Sequence, residues 1–112
     1  MDKVRVDDLV AVGLKGSEAR ALLGLLALPD ATGTSSEIAK AAALPRTAVY
    51  GYMQSLVDRG LVTAVASVGP SRWTAGSWEA LLKRLDSVAS EALDEYRRRL
   101  RTLSEREPPA GA

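Results

Sequence analysis

Residues 44–62, LPRTAVYGYMQSLVDRGLV, hold a helix marked at both ends. Pro45 suits its first position, where a missing N–H costs nothing and the fixed φ already fits a helix. Val49, Met53, Leu56 and Val57 recur at i, i+4, i+7 and i+8 and form one apolar stripe. Gly60 falls just past the last of them, where a left-handed residue commonly closes a helix. Opposite the stripe lie Thr47, Gly51, Gln54, Ser55 and Asp58, with Tyr50 on the flank. That face is polar, slim at Gly51, and short enough in its side chains to enter a groove. The stretch alone reads equally well as an ordinary surface helix, so the segments on either side of it carry the interpretation.

Upstream, Thr34-Ser35-Ser36-Glu37 is a capping box, a hydroxyl cap followed three residues later by a carboxylate. It opens a short helix over residues 35–42 with Ile38, Ala39 and Ala42 facing inward. Two or three residues then separate it from Pro45, and two helices so closely joined match a helix-turn-helix. Further back, a helix is expected over residues 17–28, capped by Ser17, with Glu18 in its first turn. Its inward residues read as Ala19, Leu22, Leu23, Leu26 and Ala27, and residues 29–33 read as a loop. Leu9, Val10 and Val12 can seed a short strand or helix that docks on the core.

Downstream the chemistry changes. Residues 61–68 are rich in β-branched side chains, Gly69-Pro70 is a turn signal, and residues 71–74 form a return strand. Alternation along that strand turns Trp73 to the core and Arg72 away from it. A hairpin placed directly after the second helix of a helix-turn-helix is a wing.

From Ser77, a capping residue, a helix should continue to about Glu105 with no internal Gly or Pro. Trp78, Leu82, Leu85, Ala89, Leu93, Tyr96, Leu100 and Leu103 follow one another at steps of 3 or 4, a heptad rhythm with one stutter between Ala89 and Leu93. Such a helix is roughly 40 Å long, more than a domain of about 75 residues can cover. Trp78 and Leu82 are expected against the core, and Leu93 to Leu103 against a second copy in a coiled coil. Arg97, Arg98, Arg99 and Arg101, offset by Glu91, Asp94 and Glu95, read as a salt-bridging face or as a phosphate-binding patch.

The expected architecture is thus mainly α with a small β-hairpin: a winged helix-turn-helix over residues 1–76, a long dimerisation helix over 77–107 and a flexible tail over 108–112. The candidate dimerisation residues are Leu82, Leu85, Ala89, Leu93, Tyr96, Leu100 and Leu103. With neither Cys nor His, the chain holds no thiol nucleophile, no disulfide and no His-based acid–base pair. No catalytic constellation, nucleotide loop, metal-ligand set or cofactor site is expected, so the protein does not read as an enzyme. Nothing resembles a signal peptide or a membrane span, and a cytoplasmic, nucleoid-associated location is expected. The net charge of +1 hides a small bias. Residues 45–74 hold Arg46, Arg59 and Arg72 against Asp58 alone, whereas the long helix balances seven bases with seven acids.

The string AVGLKGSEARALLGLLAL, then SSEIAKAAALPRTAVYGYMQSLVDRGLV, then a wing and a heptad-bearing helix, resembles the DNA-binding domain of the TrmB-like family of transcription regulators. Gly13-Leu14 with Glu18-Ala19, Ser36-Glu37-Ile38-Ala39, Pro45-Arg46-Thr47-x-Val49-Tyr50 and Leu56-x-x-x-Gly60-Leu61-Val62 carry the resemblance, which spans about residues 9–105. Lys15 stands where that family usually has a hydroxyl cap, and Gly51 where a longer polar side chain is common. Larger members continue into a sugar-binding domain, and without one a small-molecule effector is not expected here.

The resemblance implies a dimer that reads double-stranded DNA through the exposed face of the second helix. Thr47, Tyr50 and Gln54 are the candidates for base edges, with Gly51 permitting close backbone approach. Arg46 and the helix N-terminus at Ser35 and Ser36 suit phosphates, and Arg72 on the wing suits the backbone or minor groove. The competing reading is a winged-helix protein-interaction or nucleoid-type architectural module assembled through its coiled coil.

Overall fold

The computed structural model describes residues 4–66 and 68–106; the tail expected over 108–112 lies outside them. Among these residues five α-helices and a three-stranded sheet follow in the order α1 (Val6–Ala11), α2 (Gly16–Leu26), β1 (Thr32–Thr34), α3 (Ser35–Ala42), α4 (Arg46–Asp58), β2 (Thr63–Val65), β3 (Arg72–Thr74) and α5 (Trp78–Glu105), with a 3-10 turn at Pro29–Ala31. Leu22, Leu25, Ile38, Val49, Met53, Leu56, Leu61, Trp73 and Leu81 meet in one core, drawn from every layer of the body.

The helix-turn-helix forms as its sequence signals dictate. In the capping box of α3, the Thr34 N–H donates to the Glu37 carboxylate at 3.0 Å and the Glu37 N–H donates to the Thr34 hydroxyl at 3.3 Å. The helix closes on Ala43, a left-handed residue at φ 54°. That position disfavours a side chain, and the Arg20 guanidinium holds it by donating to the Ala42 and Ala43 carbonyls, each at 3.0 Å. Pro45 is extended, at ψ 134°, and caps α4 from outside rather than filling its first turn. Val49, Met53 and Leu56 are fully buried, and Gly60 takes φ 76° to turn the chain out of the helix.

Several expectations shift. The segment around Leu9 is a short helix, with Leu9 buried. Helix α2 begins at Gly16, not Ser17, because the Lys15 N–H is capped by the Glu18 carboxylate at 3.2 Å. It buries Ala19, Ala21, Leu22 and Leu25. Leu23 and Leu26 are only half-buried and Ala27 is exposed. Helices pack on more than one side of α2, so its buried face is wider than a single periodic stripe. The expected loop at residues 29–33 contains strand β1, which pairs antiparallel with β3 as Thr32↔Thr74, Gly33↔Trp73 and Thr34↔Arg72. Strand β2 pairs with the other edge of β3, as Thr63↔Thr74, Ala64↔Trp73 and Val65↔Arg72. The outgoing strand is therefore shorter than residues 61–68, since Leu61 and Val62 turn into the core before pairing begins. The sheet order β1-β3-β2 places Trp73 at its centre, buried as expected.

Helix α5 runs over the expected residues, with the Ser77 hydroxyl accepting from the Ala80 N–H at 3.1 Å. Its docking face is rotated from the expected one: Leu81, Leu85 and Val88 enter the core, while Trp78 and Leu82 stay exposed. Arg84 explains the rotation, because its guanidinium donates to the Ala75 carbonyl at 2.7 Å and reaches the Gly60 carbonyl at 3.4 Å. Leu85, placed on the dimerisation stripe by its spacing, is thus a core residue of its own chain. Beyond Ser90 every described residue of α5 is exposed, and the molecule extends 60 Å along one axis against 29 and 28 Å along the others.

Candidate nucleic-acid interface

Helix α4 presents a ridge between two clefts. The first, about 320 Å³, lies between the N-termini of α3 and α4 and the wing turn. It is lined by Ser35, Ser36, Arg46, Thr47 and Tyr50, with Thr34, Pro70 and Ser71 completing it. Five of the eight residues assigned to DNA from sequence therefore converge on one concavity. The α3 N-terminus faces this cleft, and N–H groups in the first turn of a helix, together with its dipole, suit an anion. Arg46 is exposed beside it.

The second cleft runs along the other flank of α4 to the start of α2, and Thr47, Gly51 and Ser55 contribute to its lining. A Cβ built on Gly51 meets nothing within 4 Å, so no intramolecular packing requires glycine there. Gln54 is half-buried and lines neither cleft. Ser55, read from sequence as part of the exposed face, instead donates its hydroxyl in a very short bond to Glu18.

Tyr50 is held in place at the first cleft. The Tyr50 ring, 50% exposed, meets Trp73 edge-on, with centroids 5.5 Å apart and planes at 76°. That contact joins α4 to the central strand of the wing sheet. The Trp73 indole nitrogen is buried without a hydrogen-bond partner. Arg72 is 3.7 Å from the Glu37 carboxylate, so the wing cation leans toward the start of α3. The Thr34 N–H and hydroxyl, and then the positive charge of Arg72, hold the Glu37 carboxyl below its ordinary range.

Sequence reasoning missed the group that fastens α4 from behind. Glu18, 4% exposed, accepts from Ser55 and from the Lys15 N–H and lies 3.6 Å from Arg59. Arg59 in turn donates to the Gly13 carbonyl at 3.0 Å. From sequence Glu18 reads only as a first-turn acid favoured by the helix dipole; in the structure it is the capping carboxylate, three residues after Lys15. Its second oxygen and its burial depend on α4, which is distant in sequence. Among the described residues no cluster of His, Cys, Asp and Glu could hold a metal ion, and no helix is long and apolar enough to cross a membrane.

A short capped helix closely followed by a second helix, a sheet-borne wing and a long trailing helix define a winged helix-turn-helix fold. Residues 9–79 match the family model described as sugar-specific transcriptional regulator TrmB, and the chain belongs to that family. Among solved structures it is similar to a possible transcriptional regulator from Methanosarcina mazei Go1, at 13% identity and a TM-score of 0.64 over 90% of both chains. It is also similar to TrmBL2, described as an archaeal chromatin protein with a novel mode of DNA binding, at 21% identity and a TM-score of 0.66. That match covers 89% of this chain and 38% of the other. No curated protein sequence matches the chain.

Proposed function

We propose that the protein is a homodimeric transcription regulator that reads double-stranded DNA with α4 and its wing, acting in the cytoplasm on the nucleoid. The observation that carries this reading is the convergence of Ser35, Ser36, Arg46, Thr47 and Tyr50 on the cleft beside the wing. Arg46 neutralises a phosphate from the first turn of α4, and the N–H groups at Ser35 and Ser36 hold another. Thr47, Tyr50 and Gln54 meet base edges in the major groove, where hydroxyl, phenol and amide groups can discriminate base pairs. Gly51 lets the helix backbone come close. Arg72 exchanges Glu37 for the DNA backbone or minor groove. Family membership supports the regulatory role, and the DNA-binding chromatin protein among similar folds supports a duplex as the partner.

Dimerisation falls to α5. Leu93, Tyr96, Leu100 and Leu103 are 47–68% exposed along one line, with Ala89 half-buried where that line meets the body. Burying one leucine is worth about 1.5–3 kcal/mol, so several per protomer offset the cost of association. Two protomers present two recognition helices to one face of a duplex.

A salt titration of duplex binding tests the proposal. Affinity should fall linearly in log–log form with a slope of about −2 or steeper, since each neutralised phosphate contributes about −0.9. Absence of duplex binding at low salt would replace this reading with the protein-interaction module. Equal affinity for selected and random duplexes would favour the architectural role that the chromatin-protein likeness suggests.

A further inference from the structure

Helix α1 and the first half of α5 enclose an apolar groove of about 400 Å³, with Leu9, Val12, Trp78, Leu82 and Ala89 among its walls. Leu85 forms part of its lining from the core side, and a second hollow continues the surface past Val10 to Leu93. Val10, Trp78 and Leu82 are 43%, 44% and 46% exposed, unusual for large apolar side chains gathered in one place. The groove has an acidic rim, with Asp8 on α1 and Asp86 on α5, and Glu79 exposed at the start of the helix. The second half of α5 carries both signs of charge, with Glu95 paired to Arg98 at 2.6 Å and to Arg99 at 3.3 Å. Arg97 and Arg99 flank its apolar line, falling about 80° to either side of it at about 100° per residue.

We infer that the groove receives the second half of α5 from another copy of this chain, entering antiparallel with the two Ala89 residues facing each other across the two-fold axis. The inference rests on the homodimer proposed above and specifies its interface. In this register Trp78 lies opposite the partner's Leu100, Leu82 opposite its Tyr96, and Leu85 opposite its Leu93. The 3–4 spacing of each half then meets the complementary spacing of the other. Ala89, the smallest residue of the line, falls where two identical helices approach most closely. Charge favours this direction: antiparallel pairing brings Arg97, and Arg99 beside its own Glu95, towards Asp8, Glu79 and Asp86. Parallel pairing would stack the two arginine clusters together and crowd both winged bodies at one end.

The chain has no cysteine, so single cysteine substitutions in the full chain report on this geometry cleanly. A disulfide needs Cα atoms within about 7 Å. Under mild oxidation Ala89→Cys should form a covalent dimer with itself. Leu82→Cys and Tyr96→Cys should link only when the two variants are mixed and allowed to exchange subunits. Self-linking of Tyr96→Cys or Leu100→Cys, with sedimentation still giving a dimer, would overturn the antiparallel register and leave the homodimer standing. Sedimentation of the wild-type chain as a monomer would overturn both.

Discussion

The two halves of α5 obey the same local rules and have opposite tertiary fates. From Trp78 to Ala89 the helix puts Leu81, Leu85 and Val88 into the core and is tethered by Arg84. From Glu91 to Glu105 it is exposed on every side, although Leu93, Tyr96, Leu100 and Leu103 continue the apolar period. The first half is stabilised by its own chain; the second is apolar surface with no cover in the monomer. Helix α4 shows the same division across its width, with Val49, Met53 and Leu56 buried and Thr47, Tyr50 and Gly51 facing the clefts. Periodicity therefore marks apolar faces without saying which belong to folding and which to association.

Leucine substitutions along α5 test the contrast most strongly. Leu81→Ala should cost about 2–5 kcal/mol of stability, the range for truncating a buried leucine. Leu93→Asp combined with Leu100→Asp should leave the melting of the winged body near wild type when both proteins are monomeric, yet give a monomer in sedimentation. It should also weaken duplex binding sharply. A double variant that stayed dimeric would move the interface elsewhere.

Two helical glycines sharpen the comparison. A Cβ on Gly24 would come 2.7 Å from the Ala42 Cβ, so Gly24→Ala should destabilise the α2–α3 contact by about 1–3 kcal/mol. At Gly51 a Cβ meets nothing, so Gly51→Ala should stabilise the fold by about 0.5–1 kcal/mol while weakening DNA binding. Denaturant melts paired with duplex titrations measure both effects. Tighter DNA binding by Gly51→Ala would argue against close backbone approach at that point.

Within the proposed interface, Gln54→Ala should cost about 1–3 kcal/mol at preferred sites only, whereas Arg46→Ala should weaken all duplexes alike and reduce the salt slope by about one. Binding curves on matched and scrambled duplexes distinguish these outcomes. Unchanged affinity and preference in Gln54→Ala would remove that residue from the reading face.

The smallest expected effect concerns acid. The folded-state carboxyl of Glu37 lies below its ordinary 4.5, held there first by Thr34 and then by Arg72. Its contribution to stability is therefore complete above that ordinary value and fades as pH falls through the lowered one. The melting temperatures of wild type and Glu37→Gln should accordingly converge as pH falls below that ordinary value. A difference that stayed constant as pH fell would show that the carboxylate's charge does not matter to the cap.

Local chemistry was enough to define much of this molecule from sequence. The Thr34–Glu37 box, the Val49–Met53–Leu56 stripe, left-handed Gly60, the Ser77 cap and the extent of α5 all arise from interactions within a few residues of one another. The gathering of Ser35, Ser36, Arg46, Thr47 and Tyr50 follows from the short turn between α3 and α4, and was legible for the same reason. Strand β1 was not, because Thr32-Gly33-Thr34 has no period of its own and is extended only by pairing with β3. Nor was the role of Glu18, whose partners Ser55 and Arg59 lie on α4 and just past its end. Only the tertiary structure decided which face of α5 meets the core. The apolar side chains of that helix cover more than one face, and the carbonyls of Gly60 and Ala75, which Arg84 reaches, select among them.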